Sequence, residues 1–195
     1  MSNLLSMMIF LPAAFALALL FVPNKNKTLI KLGGLVGTAI PLILSVPLYL
    51  NFDATTADYQ FVERLQWIST FNIEYYLGVD GISITLVLLS SLLFFVAMLV
   101  SWHIDKLTKA YTCLFLLLET GILGTFMALD LFLFFVFWEL TLLPMYFLIG
   151  IWGGPRKEYA AIKFFLYTMF GSVLMLLGII ALYFYQGQQT FAMPE

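Results

Sequence analysis

The sequence has few charges and almost none of the side chains that hold redox cofactors. Only 10% of its 195 residues are charged, against about 25% in a typical soluble domain. A single cysteine, Cys113, excludes a disulfide within the chain, and it excludes an iron–sulfur cluster held by this chain alone, which needs about four thiolates. A single histidine, His103, excludes a haem held between two histidines of this chain. Any redox cofactor must therefore lie in another subunit or be absent.

Long apolar runs make up most of the sequence instead. Hydrophobic residues account for 63% of the chain. A soluble domain of this length would need far more polar surface to cover itself, which excludes a soluble enzyme, a nucleic-acid binder and a disordered tail. The net charge of −2 is too small to argue for any charged partner. We therefore expect an integral membrane protein, with residues 1–195 forming a single membrane domain.

Six apolar runs are each long enough to cross a bilayer as a helix. A helix rises about 1.5 Å per residue, and the hydrocarbon core is roughly 30 Å thick. The sequence therefore predicts an all-α, polytopic bundle of transmembrane helices. The six predicted spans are Leu4–Val22, Leu29–Leu50, Ile82–Trp102, Tyr111–Leu129, Leu131–Trp152 and Tyr159–Tyr185.

The one long connection, residues 51–80, is acidic and carries a strand pattern. Apolar and polar residues alternate along its second half. This pattern predicts a short outer β-hairpin over about Phe61–Leu77, turning near Ser69–Thr70. Asp80 directly precedes the third apolar run and is predicted to be a helix N-cap, because its carboxylate can accept free backbone N–H groups.

Basic residues would lie almost entirely on one side of the membrane. With the N-terminus outside, eight of the nine fall on the inner side and only Arg64 on the outer side. Cytoplasmic loops carry an excess of Lys and Arg, so this distribution predicts an outer N-terminus. With six spans, the C-terminus is then expected outside as well. The eight inner residues are Lys25, Lys27, Lys31, Lys106, Lys109, Arg156, Lys157 and Lys163.

Glu139 is an acidic residue deep inside the fifth predicted span. It follows Asp130 by nine residues, about 13.5 Å of helix. An acidic side chain at that depth costs about 2.5–3.5 kcal/mol on insertion scales, so it is expected to face a partner or a wet cavity. Such a carboxyl suits a proton relay; the alternative is a Glu that only hydrogen-bonds between helices. Pro144 cannot donate to the carbonyl of Leu140, so it should loosen the helix and admit water beside Glu139, unless it makes only a packing kink.

Two more charged residues lie inside predicted spans. Glu119 is at a similar depth to Glu139 on the neighbouring span, and it is a second possible relay residue. Whether the two carboxyls face each other depends on helix rotation; a close pair would share a proton and titrate together. Lys163 lies about one turn into the sixth span. Its ammonium either reaches back to the inner interface or provides a cation on a path to Glu139.

The segment Ala128–Gly154, which contains Trp-Glu-Leu-Thr-Leu-Leu-Pro around Glu139, resembles the antiporter-like subunits of respiratory complex I. It is most similar to the subunit M branch, the bacterial counterpart of mitochondrial subunit 4. The segments Val79–Ser83 and Ala160–Thr168 fit as well, and the resemblance covers essentially the whole chain. The implied fold is the first part of a bundle of about fourteen helices. We therefore expect the chain to be a fragment, one product of a split gene or one piece of a longer subunit, without the seventh-helix lysine that pairs with the family's glutamate.

The resemblance implies proton translocation coupled to quinone reduction elsewhere in a large assembly in the bacterial cytoplasmic (inner) membrane. The family's essential fifth-helix glutamate falls on Glu139. The chain would be a subunit of a proton-translocating NADH:quinone oxidoreductase with no redox chemistry of its own. Its partners would be the bilayer, water, protons and the other membrane-arm subunits. NADH, flavin, iron–sulfur clusters and quinone would be bound by those partner subunits and not by this chain. No nucleic acid would bind.

Two other interpretations stay open. One is a subunit of a multisubunit cation/proton antiporter or of a membrane-bound hydrogenase, which share the fold and the glutamate. The other is an inert truncated fragment.

Overall fold

The computed structural model describes residues 3–185 and 190–193, which form six α-helices and a two-stranded antiparallel sheet. This confirms the predicted helical bundle with a hairpin between its second and third helices. The two strands are joined by a short 3₁₀ turn at Ser69–Phe71, where the sequence predicted the turn. In chain order the elements are α1 (Leu4–Leu20), α2 (Lys27–Leu50), β1 (Gln60–Ile68), β2 (Ile73–Val79), α3 (Ser83–Val100), α4 (Thr108–Met127), α5 (Leu131–Trp152) and α6 (Lys157–Tyr185).

Five of the helices, α2 to α6, are long and apolar enough to cross a bilayer. The first, α1, has 17 residues, which is about 26 Å of helix. It ends two residues before the predicted boundary at Val22. Phe21 and Val22 continue it only as tighter turns, donating to the carbonyls three residues back, because Pro23 disfavours helical backbone in the residue before it.

At the centre of the bundle lies α4, which packs against α1, α2, α3 and α5, while α6 packs mainly against α5. Glycines allow these close approaches. A Cβ on Gly37 of α2 would lie 2.8 Å from Cδ2 of Leu116, and one on Gly121 of α4 would lie 2.7 Å from Cγ2 of Thr141. Such close packing through small residues is common between membrane helices.

The lysines gather at the end of the bundle opposite the hairpin and satisfy helix ends there. Lys109 Nζ donates to the carbonyl of Leu20 at 3.0 Å, and Lys157 Nζ donates to the carbonyl of Ile151 at 2.8 Å. Lys31 forms an ion pair with Asp105 at 2.9 Å. Cations stabilise free carbonyls at helix C-termini, so these contacts tie the basic connections to the bundle.

Candidate functional site

The depth of Glu139 is set by Asp130, which starts α5. Oδ1 of Asp130 accepts from the backbone N–H groups of Phe132 and Leu133, both at 2.9 Å, and Oδ2 accepts from the N–H of Glu74 on β2 at 3.2 Å. Burial raises the pKa of the Asp130 carboxyl. One buried carboxyl thus caps α5 and fixes the hairpin to it, and Glu139 follows about 13.5 Å further along the helix.

Glu139 lines a groove of about 810 Å³ between α1, α4, α5 and the hairpin, which we call the Glu139 groove. Among the described residues that line it, the polar side chains are those of Glu139, Gln66 and Tyr75; the others are apolar. Oε1 of Glu139 is buried and has no hydrogen-bond partner in residues 3–185 and 190–193. A buried polar atom without a hydrogen-bond partner is costly, so this oxygen favours contact with water or with a group from outside this part of the chain.

Pro144 is buried within α5, and the helix continues through it to Trp152. Leu140, whose carbonyl Pro144 cannot bond, lines the groove beside Glu139. A carbonyl left free by proline needs another donor, and water in the groove can supply one. The local backbone therefore favours hydration close to the Glu139 carboxyl.

Sequence reasoning missed Ser172, on the α6 side of Glu139. The facing pairs Gly150–Ala161 and Tyr146–Phe165 fix the register of the antiparallel α5 and α6. Seven residues back from Tyr146 is Glu139, and seven residues on from Phe165 is Ser172, so the two lie at the same level on facing surfaces. Ser172 is buried, with its Oγ donating to a carbonyl of its own helix. Nothing in the sequence pattern of α6 distinguished this serine.

Glu119 faces away from α5. The α5 side of α4 is marked by Gly121 and Gly124, which touch Thr141 and Phe137. At 100° per residue, Glu119 points to the opposite side of α4. The structure therefore does not bring the Glu119 and Glu139 carboxyls face to face.

Glu119 instead faces α2 and α3. A Cβ on Gly34 of α2 would contact both Thr112 of α4 and Met98 of α3. Two helical turns from this contact, towards the hairpin end, lie Glu119 on α4, Pro41 on α2 and Ser91 on α3, all buried. Both Glu119 oxygens are buried without a partner in the described part of the chain. The two glutamates thus occupy separate environments on the two sides of α4.

Lys163 is exposed on α6, with Nζ 5.9 Å from the centre of the Tyr159 ring. It precedes Ser172, the residue level with Glu139, by nine residues, about 13.5 Å of helix. The structure therefore keeps Lys163 near the basic end and away from Glu139. Asp80 accepts from the N–H groups of Ile82 at 3.1 Å and Ser83 at 2.7 Å, at the start of α3.

Among the described residues, no group of three or more His, Cys, Asp and Glu side chains could hold a metal ion. The two glutamates inside the helices, Glu119 and Glu139, have carboxyl groups, which can bind and release protons.

Residues 128–193 match the family described as NADH:quinone oxidoreductase/Mrp antiporter, TM. The chain is 43% identical over 192 residues to NADH-quinone oxidoreductase subunit M of Rhodobacter capsulatus, covering 96% of this chain and 37% of the relative. It is 43% identical to NADH-ubiquinone oxidoreductase chain 4 of Arabidopsis thaliana, covering 94% of this chain and 37% of the relative. The chain thus spans little more than a third of the length of these curated relatives.

Solved structures share the fold. Respiratory complex I from Thermus thermophilus matches with a TM-score of 0.81 and 25% identity, covering 96% of this chain and 38% of that one. The Mrp complex from Dietzia sp. matches with a TM-score of 0.80 and 21% identity, covering 98% of this chain and 20% of that one. The resemblance stated from the sequence is confirmed, and the chain is a multi-pass membrane protein with part of the antiporter-like fold.

Proposed function

We propose that this chain belongs to an antiporter-like subunit of complex I and takes part in proton translocation, with the Glu139 carboxyl as the proton carrier. The observation that carries the proposal is the buried, unpartnered Oε1 of Glu139 on the wall of a groove. In apolar surroundings a carboxyl gains or loses its proton according to the water and cations that reach it. A groove that admits them from one side at a time would make Glu139 a relay.

The chain would act as part of a translocating NADH:quinone oxidoreductase and carry no redox step itself. Its single cysteine and single histidine support this division, because NADH, flavin, iron–sulfur clusters and quinone would be bound by partner subunits. The proposed partners are the other membrane-arm subunits. Residues 1–195 would form one membrane domain of that arm.

We place the chain in the bacterial cytoplasmic membrane with its N-terminus outside. The support is the segregation of basic residues: lysines bind helix ends at one end of the bundle, and the acidic hairpin covers the other. Glu119 would be a second protonatable group, separate from the first. Lys163 would then lie at the inner interface.

A cation/proton antiporter subunit is the second candidate, because the Mrp complex has the same fold. At 21% identity that likeness concerns the fold alone, whereas subunit M relatives reach 43%. The complex I assignment is therefore the better supported one. Co-purification of this chain with NADH-oxidising or with antiporter subunits distinguishes the two.

The test of the relay is Glu139→Gln in the assembled complex. The amide keeps the shape and loses the titratable proton, so quinone-coupled proton pumping in membrane vesicles should fall strongly. The assembly should survive, because a neutral amide is cheaper to bury than a charge. Glu158→Gln, at the exposed start of α6, is the matched control and should pump normally. Normal pumping by assembled Glu139→Gln complexes would refute the relay.

A further inference from the structure

The N-terminus of α1 is capped by a residue far away in the sequence. The Glu63 carboxylate on β1 accepts from the backbone N–H of Leu5 at 2.8 Å and from that of Ser6 at 3.2 Å. The residue in the N-cap position, Asn3, makes no side-chain cap bond of its own. A carboxylate is favoured at this positive end of a helix, so α1 and the hairpin are locked together here.

The same carboxylate ends a chain of hydrogen bonds that capping does not require. Ser6 Oγ donates to Oε2 of Glu63, and Ser6 Oγ lies 2.7 Å from the hydroxyl of Tyr75. Since the serine proton is given to the carboxylate, the Tyr75 hydroxyl is the donor to Ser6. All donors therefore point in one direction, from Tyr75 to Glu63.

The chain of hydrogen bonds begins in the Glu139 groove. Tyr75 is one of the three polar side chains on the groove wall, and its ring stacks on Phe10, which in turn packs on Phe137 of α5. Burial raises the pKa of Tyr75, and the nearby charge of Glu63 adds to the effect. The hydroxyl therefore stays protonated and available as a donor at neutral pH.

We propose that Tyr75, Ser6 and Glu63 form a proton path between the Glu139 groove and the hairpin face of the molecule. This inference rests on the proposed function, because it assumes that Glu139 delivers protons to water in the groove. A groove of about 810 Å³ has room for several waters, each of which takes about 30 Å³ of liquid volume. The partly exposed Glu63 sits at the far end, where the proton leaves.

Each transfer along the path conserves atoms and charge. Tyr75 gives its proton to Ser6 Oγ as Ser6 gives its own to the Glu63 carboxylate, and a protonated water in the groove replaces the proton of Tyr75. The glutamic acid then releases its proton to water at the hairpin face. Rotation of the two hydroxyls restores the starting arrangement, so the net change is one proton moved outward.

The test compares four variants in the assembled complex. Tyr75→Phe and Ser6→Ala each remove one hydroxyl of the path. Ser6→Thr keeps the hydroxyl at that position. Tyr76→Phe removes the hydroxyl of the neighbouring tyrosine of β2, which is not part of the path. Pumping per quinone reduced is measured in vesicles and divided by the amount of assembled complex on native gels. We expect a fall of about 100-fold or more for Tyr75→Phe and Ser6→Ala, which is the contribution of a positioned proton-transfer group. Ser6→Thr and Tyr76→Phe should retain the wild-type ratio.

The outcomes separate this inference from the function on which it rests. A reduced ratio in Glu139→Gln together with a wild-type ratio in Tyr75→Phe would overturn the path and leave the relay standing. A wild-type ratio in Glu139→Gln itself would overturn the relay and the path together. If Tyr75→Phe loses only assembled complex, with its pumping ratio unchanged, the three residues are structural and the path is wrong.

Discussion

Replacing Gly124 by alanine should destabilise the contact between α4 and α5. A Cβ on Gly124 would lie 2.6 Å from Cε1 of Phe137 and closer still to Cγ and Cδ1 of the same ring. Carbon atoms pack at about 3.5–4.0 Å, so the ring or the helices must move by about 1 Å. Phe137 is 5% exposed and is packed against Phe10, so a shift of its ring disturbs this aromatic contact.

The expected cost is about 1–3 kcal/mol, the usual cost of overpacking a close-packed core. It would be partly offset by up to about 1 kcal/mol, because alanine forms helix more readily than glycine. Phe137 also lines the Glu139 groove, so pumping should fall along with stability. The assay is the temperature at which the solubilised complex loses its native assembly, followed by pumping in vesicles.

Gly150→Ala is the matched control, at the neighbouring contact between α5 and α6. A Cβ there would lie 3.5 Å from Cβ of Ala161, an ordinary contact. This variant should be neutral or slightly stabilised. If Gly124→Ala proves as stable as Gly150→Ala, the close packing of Gly124 on Phe137 is wrong.

Three further outcomes follow from the geometry. The Ser83 N–H holds the pKa of the Asp80 carboxyl below its usual value. The ionised carboxylate therefore stabilises the folded protein at neutral pH, and this stabilisation is lost as the pH falls through the lowered pKa. Asp80→Asn still caps the helix but cannot ionise, so it should flatten the acid side of a curve of stability against pH. Glu119→Gln should reduce pumping less than Glu139→Gln, and a larger defect would reverse our ranking. On a background without Cys113, a cysteine placed near Lys157 should react only with reagent on the inner side; labelling from outside would contradict the orientation.

The bundle was predictable because long apolar runs leave few choices. The alternation around Phe71–Tyr76 was enough to predict the hairpin, since that period is typical of strands, although the end of β2 from Tyr76 to Val79 is buried throughout. The predicted helix ends were less accurate. The apolar run continues to Val22, but α1 ends at Leu20, because Pro23 disfavours helical backbone in the residue before it.

The relation between the two glutamates was not predicted, although the sequence contained a usable signal. Gly121 and Gly124 mark the side of α4 that can approach another helix closely, and Glu119 is on the other side. Ser172 and the path from Tyr75 to Glu63 gave no such signal. They depend on contacts between residues up to 69 positions apart, which local periodicity does not encode.

The most direct test of the central claim is to observe the Glu139 proton itself. Infrared difference spectra of the complex, recorded between resting and turnover states, report carboxyl groups that gain or lose a proton. We expect a protonated-carboxyl band that is present in the wild type and in Glu119→Gln and absent from Glu139→Gln. A band that persists unchanged in Glu139→Gln would show that another group carries the proton, and the account of Glu139 would be wrong.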